Sequence, residues 1–364
     1  MKKYDIAAYI WPAYTGDEIR TRIFWPEGIG EWQTVKNMTN KGDYEWDRKP
    51  LWGYVNEADP YVMEMEIEAA VDHGVNVFIY DWYWYDGRPF LENCLNDGFL
   101  KAKNNDKMKF YLMWANHDVS YTWDKRISHL DATMWTGKVD LEQFKQIGKR
   151  WIDMYFTHPS YYCIDGKPVL SIYDMYNFIN GLGGIPNARE ALAWLNEEAK
   201  KAGLEGVHIQ MIKYGEFILN LSGVDNFKGE MAQEAIYASL NCDSMTHYQY
   251  VHFTEVDKNY CEITPDVLAE WEVGKQIAKE YYPHVSVGWD NNPRYQAFRG
   301  PVVKNNTPEE FEKVLLEAKK YVDENNKTPL ITINSWNEWT ETSYLEPDNK
   351  YGYGYLEAIK RVFK

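Results

Sequence analysis

The sequence predicts an α/β protein built as a single (β/α)8 TIM barrel, with long βα loops after its first and third strands. Three observations predict it. Short β-type runs alternate with longer amphipathic helical segments along the whole chain, eight such runs occur, and no glycine-rich phosphate loop follows the first of them. The runs are 6–10, 75–80, 109–114, 168–173, 207–212, 235–240, 285–289 and 330–334. Between them, segments 59–73, 140–156, 187–202, 265–282 and 307–325 carry apolar residues spaced by three and four, as in Phe311, Val314, Leu315, Ala318 and Val322. Asp59-Pro60 and Thr307-Pro308 read as helix starts, a capping side chain before a first-turn proline. The alternative, an open doubly wound sheet, calls for a GxGxxG or GxxxxGK(S/T) turn, whereas Ile10 runs into Trp-Pro-Ala-Tyr. Stretches 11–56 and 115–138 are too long for plain connectors and are expected to build the active site. No linker or repeat divides the chain, so one catalytic domain over residues 1–364 is expected.

Composition narrows the function. Aromatic residues make up 16%, with 16 Trp and 29 Tyr, more than a core of this size needs, which points to a flat ligand. A formal charge of -16 with no basic stretch argues against nucleic acid and anionic lipid as partners. No run approaches the roughly 20 apolar residues that span a bilayer. The start, MKKYDIAAYIWPAY, has neither an apolar leader nor a cleavage site, so a cytoplasmic location is expected, or a periplasmic or secreted one had a leader been removed. The cysteines Cys94, Cys163, Cys242 and Cys261 form no CxxC pair, and no HxH, HExxH or DxD occurs. Neither a metal nor a cofactor is expected. Nothing in the sequence speaks to oligomeric state.

In such a barrel, catalytic groups sit where strands end and βα loops begin. Reading those positions gives a candidate substrate-binding set of Tyr9, Trp11, Asp81, Trp82, Trp84, Trp114, Asn116, His117, Asp174, Trp289, Arg294, Asn334, Trp336, Asn337 and Tyr344. His247, Asn241, Lys213 and Tyr214 fall near the same rim. Sugar rings lay their C–H faces on Trp and Tyr, and their hydroxyls need donors and acceptors such as Asn, Asp, His and Arg. The WYW run at 82–84 is expected to be partly exposed, because alternate strand side chains face opposite ways. After the last strand, Glu338 and Glu341 stand three apart between Trp336 and Tyr344. In a helical turn they are neighbours, and two carboxyl groups, one protonated and one ionised, are what glycosidic cleavage uses.

Four stretches carry a family resemblance: GIGEWQTV (28–35), YDWYWYDGRPFLE (80–92), MWANHD (113–118) and NSWNEWTETSYLEPDNKYGYGYLEAI (334–359). Through them the chain resembles the WbsX-like glycosyltransferases and, in turn, the endo-α-mannosidases of glycoside hydrolase family ninety-nine. The resemblance implies a glycan-acting barrel in which Glu338 is the base that helps the substrate's own 2-hydroxyl attack the anomeric carbon. It makes Glu341 the acid and then the base. His117 stands where the family has Glu, Trp82 where His is common, and Thr340-Glu341-Thr342 replaces His-Glu-Gly. The expected function is therefore a retaining glycoside hydrolase acting on an oligo- or polysaccharide. A glycosyltransferase of surface polysaccharide biosynthesis and a non-catalytic glycan-binding barrel are the alternatives.

Overall fold

The computed structural model describes residues 3–130, 132–214, 218–220 and 230–364. Eight parallel strands share one sheet: β1 (Asp5–Ile10), β2 (Val77–Tyr85), β3 (Lys109–Trp114), β4 (Lys167–Ile172), β5 (His208–Ile212), β6 (Ser244–Thr246), β7 (His284–Ser286) and β8 (Leu330–Asn334). Their order is β6-β5-β4-β3-β2-β1-β8-β7. The two ends meet at a parallel bridge between Met245 and Tyr281. There the Met245 N–H donates to the Glu280 carbonyl (3.0 Å) and the Tyr282 N–H donates to the Met245 carbonyl (2.9 Å). The sheet is thus a nearly closed (β/α)8 barrel, as the alternation predicts. Its helices include α1 (Pro60–His73), α2 (Leu141–Trp151), α3 (Ile185–Lys201), α4 (Gln233–Leu240), α5 (Tyr260–Ile277), α6 (Pro308–Asn325) and α7 (Gly354–Phe363). Among the described residues no helix is long and apolar enough to cross a membrane.

The run 235–240 is corrected by the structure: it lies in α4, and the sixth strand is Ser244–Thr246. Its buried residues Ile236, Tyr237 and Leu240 recur at one, three and four, a helical stripe, and its two alanines favour a helix. Asn241 consequently follows α4 and precedes β6, at the end of the barrel opposite the βα loops. Helix α5 starts five residues before the expected Pro265, at a capping box made by Asn259 and Glu262.

All nine residues of β2 are buried, which overturns the expected exposure of the WYW run. Both faces are covered. Outward, Trp82 meets the Trp151 ring edge-on at 5.2 Å and the Trp84 Nε1–H donates to Gln143 Oε1 (3.2 Å). On the other face, Asp81 and Tyr83 look into the barrel mouth. The strand can run this far because Asp86 and Gly87, both with positive φ (55° and 70°), turn it into a hairpin with Arg88–Phe90.

Two asparagine side chains bracket backbone as a neighbouring strand would. Asn337 Oδ1 accepts the Trp11 N–H (2.8 Å) while its Nδ2 donates to the Trp11 carbonyl (2.9 Å), joining the ends of β1 and β8. Asn116 treats Asp174 the same way, at 2.8 and 2.7 Å, across β3 and β4. Replacing such a bracket leaves buried backbone groups unpaired, at about 1–3 kcal/mol each. Asn337→Ala is expected to lower the stability read by urea denaturation by at least that much, and an unchanged midpoint and slope would contradict the bracket.

Candidate active site

The chain leaves β8 through Ser335, whose hydroxyl accepts the Glu338 N–H (2.7 Å). Asn337–Glu338 then pairs antiparallel with Ser343–Tyr344, and the tip between them is a 3-10 turn, Trp339–Glu341, closed by Thr342 with φ 52°. Glu338, the residue before this turn (φ -73°, ψ 66°), and Glu341, its last residue, both face the same cavity. That answers what their spacing leaves open.

Both carboxyl groups meet Arg294. Its Nη1 donates to Glu341 Oε1 (2.7 Å), its Nη2 to Glu338 Oε2 (3.3 Å) and its Nε to Glu31 Oε1 (3.1 Å). Glu31 is fixed in turn by the Trp11 Nε1–H, at 2.5 Å on Oε2. The Tyr248 hydroxyl lies 3.0 Å from both Glu338 Oε1 and Asp81 Oδ2 and bridges them. Among the described residues, Asp81 Oδ1 and Glu341 Oε2 are buried without a hydrogen-bond partner.

Three carboxyl groups therefore share one guanidinium, and a fourth, Asp81, joins them through Tyr248. Burial, then the charge of Glu341, pushes Glu338 well above the usual carboxylate range, against the pull of Arg294. Burial also raises Glu341, with Arg294 opposing it, and raises Asp81 well above its ordinary value. Burial works against the Arg294 charge, but Glu31, Glu341 and Glu338 outweigh it and keep that charge in place. The shorter bond from Arg294 goes to Glu341, which favours its ionised form. Of the two, Glu338 is therefore the one whose surroundings more strongly favour the protonated form.

These groups line a cavity of about 380 Å³ at the barrel mouth. Its walls are Trp11, Asp81, Tyr83, Met113, Ala115, His117, Trp123, Tyr173, Asp174, Tyr214, Tyr248, Arg294, Glu338 and Glu341. Six are Trp or Tyr, interlocked as in Trp11 against Tyr83 at 5.6 Å and Tyr173 against Tyr248 at 5.3 Å. His117 is neutral: burial lowers its pKa, and its Nδ1–H donates to the Asp118 carbonyl at 2.9 Å, which leaves Nε2 as an acceptor. Among the described residues, the group of acids close enough to share a cation is Glu57, Glu66 and Glu346, with oxygens within 4.8 Å of one another. They lie outside this cavity, under the indoles of Trp336 and Trp339, which donate to Glu66 and Glu346.

Residues 7–359 match the family model described as glycosyltransferase WbsX. The chain belongs to the WbsX glycosyltransferase family. An uncharacterized protein WxcX of Xanthomonas campestris pv. campestris is 23% identical over 355 residues, which is 93% of this chain and 47% of that protein. Its counterpart in strain B100 is 22% identical over 359 residues, with the same coverage. The chain spans about half the length of the curated relatives it matches. Among solved structures, a glycoside hydrolase-like protein superposes with a TM-score of 0.62 at 14% identity, over 100% of this chain and 95% of that one. The GH99 endo-alpha-mannosidase from Bacteroides thetaiotaomicron, in complex with BIS-TRIS-propane, does so with 0.59 at 14%, over 98% and 94%. At this identity the likeness is one of fold.

Of the residues singled out in the sequence of this WbsX member, the cavity brings together Trp11, Asp81, His117, Asp174, Tyr214, Arg294, Glu338 and Glu341. The others lie elsewhere, for identifiable reasons. Trp82, Trp84 and Trp114 have the opposite strand parity to Asp81 and Met113 and pack against the outer helices, Trp114 meeting Trp151 at 5.5 Å. Tyr9 sits deeper in the barrel, donating to the His247 carbonyl (3.0 Å). Asn116 and Asn337 are the backbone brackets, and Asn334 Oδ1 accepts from Gln249 Nε2 (2.8 Å). Trp336 packs on Phe78 at 5.1 Å, and Tyr344 stacks on Trp339 at 3.8 Å. Trp289 lines a neighbouring cleft. His247 is wholly buried, between the Tyr281 hydroxyl (2.7 Å) and Glu270 (3.1 Å).

The site also uses residues outside the predicted set, Tyr83, Tyr248 and Trp123 in the cavity walls and Glu31 behind Arg294. Tyr83 follows from parity alone once Asp81 is taken as inward. Tyr248 comes two residues after the true sixth strand, so placing that strand at 235–240 hid it. Trp123 lies in the long loop after β3, where no period points to it. Glu31 stands in the GIGEWQTV stretch, and its bond to Arg294 needed the fold.

Because the fold raises the Glu338 pKa, the native state holds a proton that the unfolded chain releases near the ordinary glutamate value. Stability from this group is present below that value and is lost as pH rises toward the folded pKa. Glu338→Gln is expected to raise Tm over wild type at about pH 7.5, with the gap closing toward about pH 4.5. A gap that widens on acidification would contradict the sign.

Proposed function

We propose that this chain is a retaining glycoside hydrolase that takes an oligo- or polysaccharide across the barrel mouth, with Glu338 and Glu341 as its acid–base pair. The observation that carries the reading is the pair itself, held on one guanidinium inside a cavity walled by aromatic rings. Sugar C–H faces suit Trp11, Tyr83, Trp123 and Tyr173, and sugar hydroxyls suit the open acceptors Asp81 Oδ1 and His117 Nε2. In the roles that the family resemblance implies, a substrate 2-hydroxyl donates to Glu338 and Glu341 protonates the leaving oxygen. A hydroxyl donating to Glu338 favours its carboxylate, so substrate entry moves the resting proton toward Glu341. The glycosidic oxygen then leaves with that proton while the 2-hydroxyl oxygen, losing its own proton to Glu338, bonds to the anomeric carbon. Water, deprotonated by Glu341, reopens the ring so formed, the anomeric configuration is retained overall, and Glu338 returns its proton to the 2-oxygen.

The family's name favours a second reading, a glycosyltransferase. A nucleotide-sugar donor brings a diphosphate, and in this cavity that group would face Asp81, Asp174, Glu338 and Glu341 while the guanidinium of Arg294 is already engaged by three carboxyl groups. The electrostatics support the hydrolase.

Glu338→Gln and Glu341→Gln are each expected to cut turnover by at least about 10²-fold on whichever glycan a screen of plant, fungal and bacterial polysaccharides identifies, with binding retained. The first anomer released, read by NMR, should have the configuration of the bond cleaved. Wild-type rates in both variants, or a thermal shift with nucleoside diphosphates and none with glycans, would overturn the proposal.

A further inference from the structure

Beside the catalytic cavity, on the same face of the barrel, lies a larger cleft of about 630 Å³ that shares no lining residue with it. Loops after β1, β7 and β8 build it, with Trp46 and Trp289 as its broad apolar surfaces. The partition between the two is a single layer of chain. The Asp290 N–H donates to the Glu341 carbonyl (2.7 Å), and the Thr342 hydroxyl donates to the Asp290 carbonyl (2.9 Å) while accepting the Trp46 Nε1–H (2.9 Å). Glu341 is thus on one side of this wall and Trp46 on the other.

We propose that the cleft is a second carbohydrate subsite, taking a neutral stretch of the same glycan whose cleavage is proposed above, some sugars away from the reacting bond. It rests on that reading and adds where the chain runs next. Three features carry it. The partly buried indole of Trp289, backed by the largely buried Trp46, gives the lining an aromatic surface of the kind sugar rings cover. Trp289 lines the cleft, and its Nε1–H is a buried donor without an acceptor among the described residues, left unsatisfied by the protein itself. The charged side chains are largely matched by partners: Arg48 pairs with Asp348 (3.1 Å), Lys304 with Asp257 (3.0 Å) and Asp47 with Lys49 (2.9 Å). That leaves little net cation for a phosphate or carboxylate and suits a neutral, hydroxyl-rich ligand. Binding energy gained there is remote from the chemistry, which is where an enzyme acting on long chains holds and orients them.

The test uses the Glu338→Gln protein on an array of neutral bacterial, plant and fungal polysaccharides, then calorimetry with two-sugar and six-sugar fractions of whichever polysaccharide binds. In that background Trp289→Ala and Lys350→Ala, the latter an exposed residue at the cleft edge, are each expected to weaken the six-sugar fraction about five- to tenfold and to leave the two-sugar fraction within about twofold. Unchanged affinity for both fractions in both variants overturns the subsite. An equal loss for both fractions also overturns it, because the residues then serve the catalytic cavity or the fold. Absence of any glycan binding by the starting protein defeats the glycan reading itself, a distinguishable failure.

Discussion

One guanidinium, that of Arg294, faces three buried glutamates at the barrel mouth, and the arrangement of the site follows from that imbalance. Glu31, Glu338 and Glu341 come from loops after β1 and β8, and Arg294 from the loop after β7. A charge this deeply buried is tolerated only where it is paired, and carboxylates in excess of their counter-charge hold protons at neutral pH. The excess makes a proton donor and a proton acceptor available in one cavity, while among the described residues the acids close enough to share a cation lie outside its walls. Tyr248 and Asp81 extend the cluster by one hydrogen-bonded step, placing Glu338 between a cation and a hydroxyl.

The scaffold spends stability to hold this. Trp11 carries much of the load, with its backbone bracketed by Asn337, its indole on Glu31 and its ring edge-on to Tyr83. Beneath the turn, Trp336 and Trp339 donate to a second set of buried acids, so the segment bearing Glu338 and Glu341 is pinned from below as well as from in front. Rigidity of this sort is what the proposed cleavage needs, since two carboxyl groups must then stay in register with the bond that breaks.

Much of the architecture was legible from period alone. Runs 109–114 and 330–334 coincide with β3 and β8, because each is a short apolar stretch bounded by turn-formers on both sides. The sixth strand was not legible: Ser244–Thr246 is three residues long with polar side chains, and the apolar helix before it looked more like a strand. That one displacement concealed Tyr248. The Glu338/Glu341 pair can be located from its position after the last strand, whereas nothing in the sequence shows that Arg294, at the same rim, directs donors to three carboxyl groups. Trp82 and Trp84 were grouped with Asp81, although a period of two separates them. Sequence gives the residue types at the rim; which of them face inward depends on parity and on what covers the other side.

The protonation state of Glu338 tests this account most directly. Infrared difference spectra of wild type minus Glu338→Gln isolate that one group from the other buried acids through its carboxyl C=O stretch. A protonated-carboxyl band is expected near pH 7 in wild type and is expected to be missing from the variant. A difference spectrum containing only the carboxylate bands of an ionised Glu338 at that pH would contradict it.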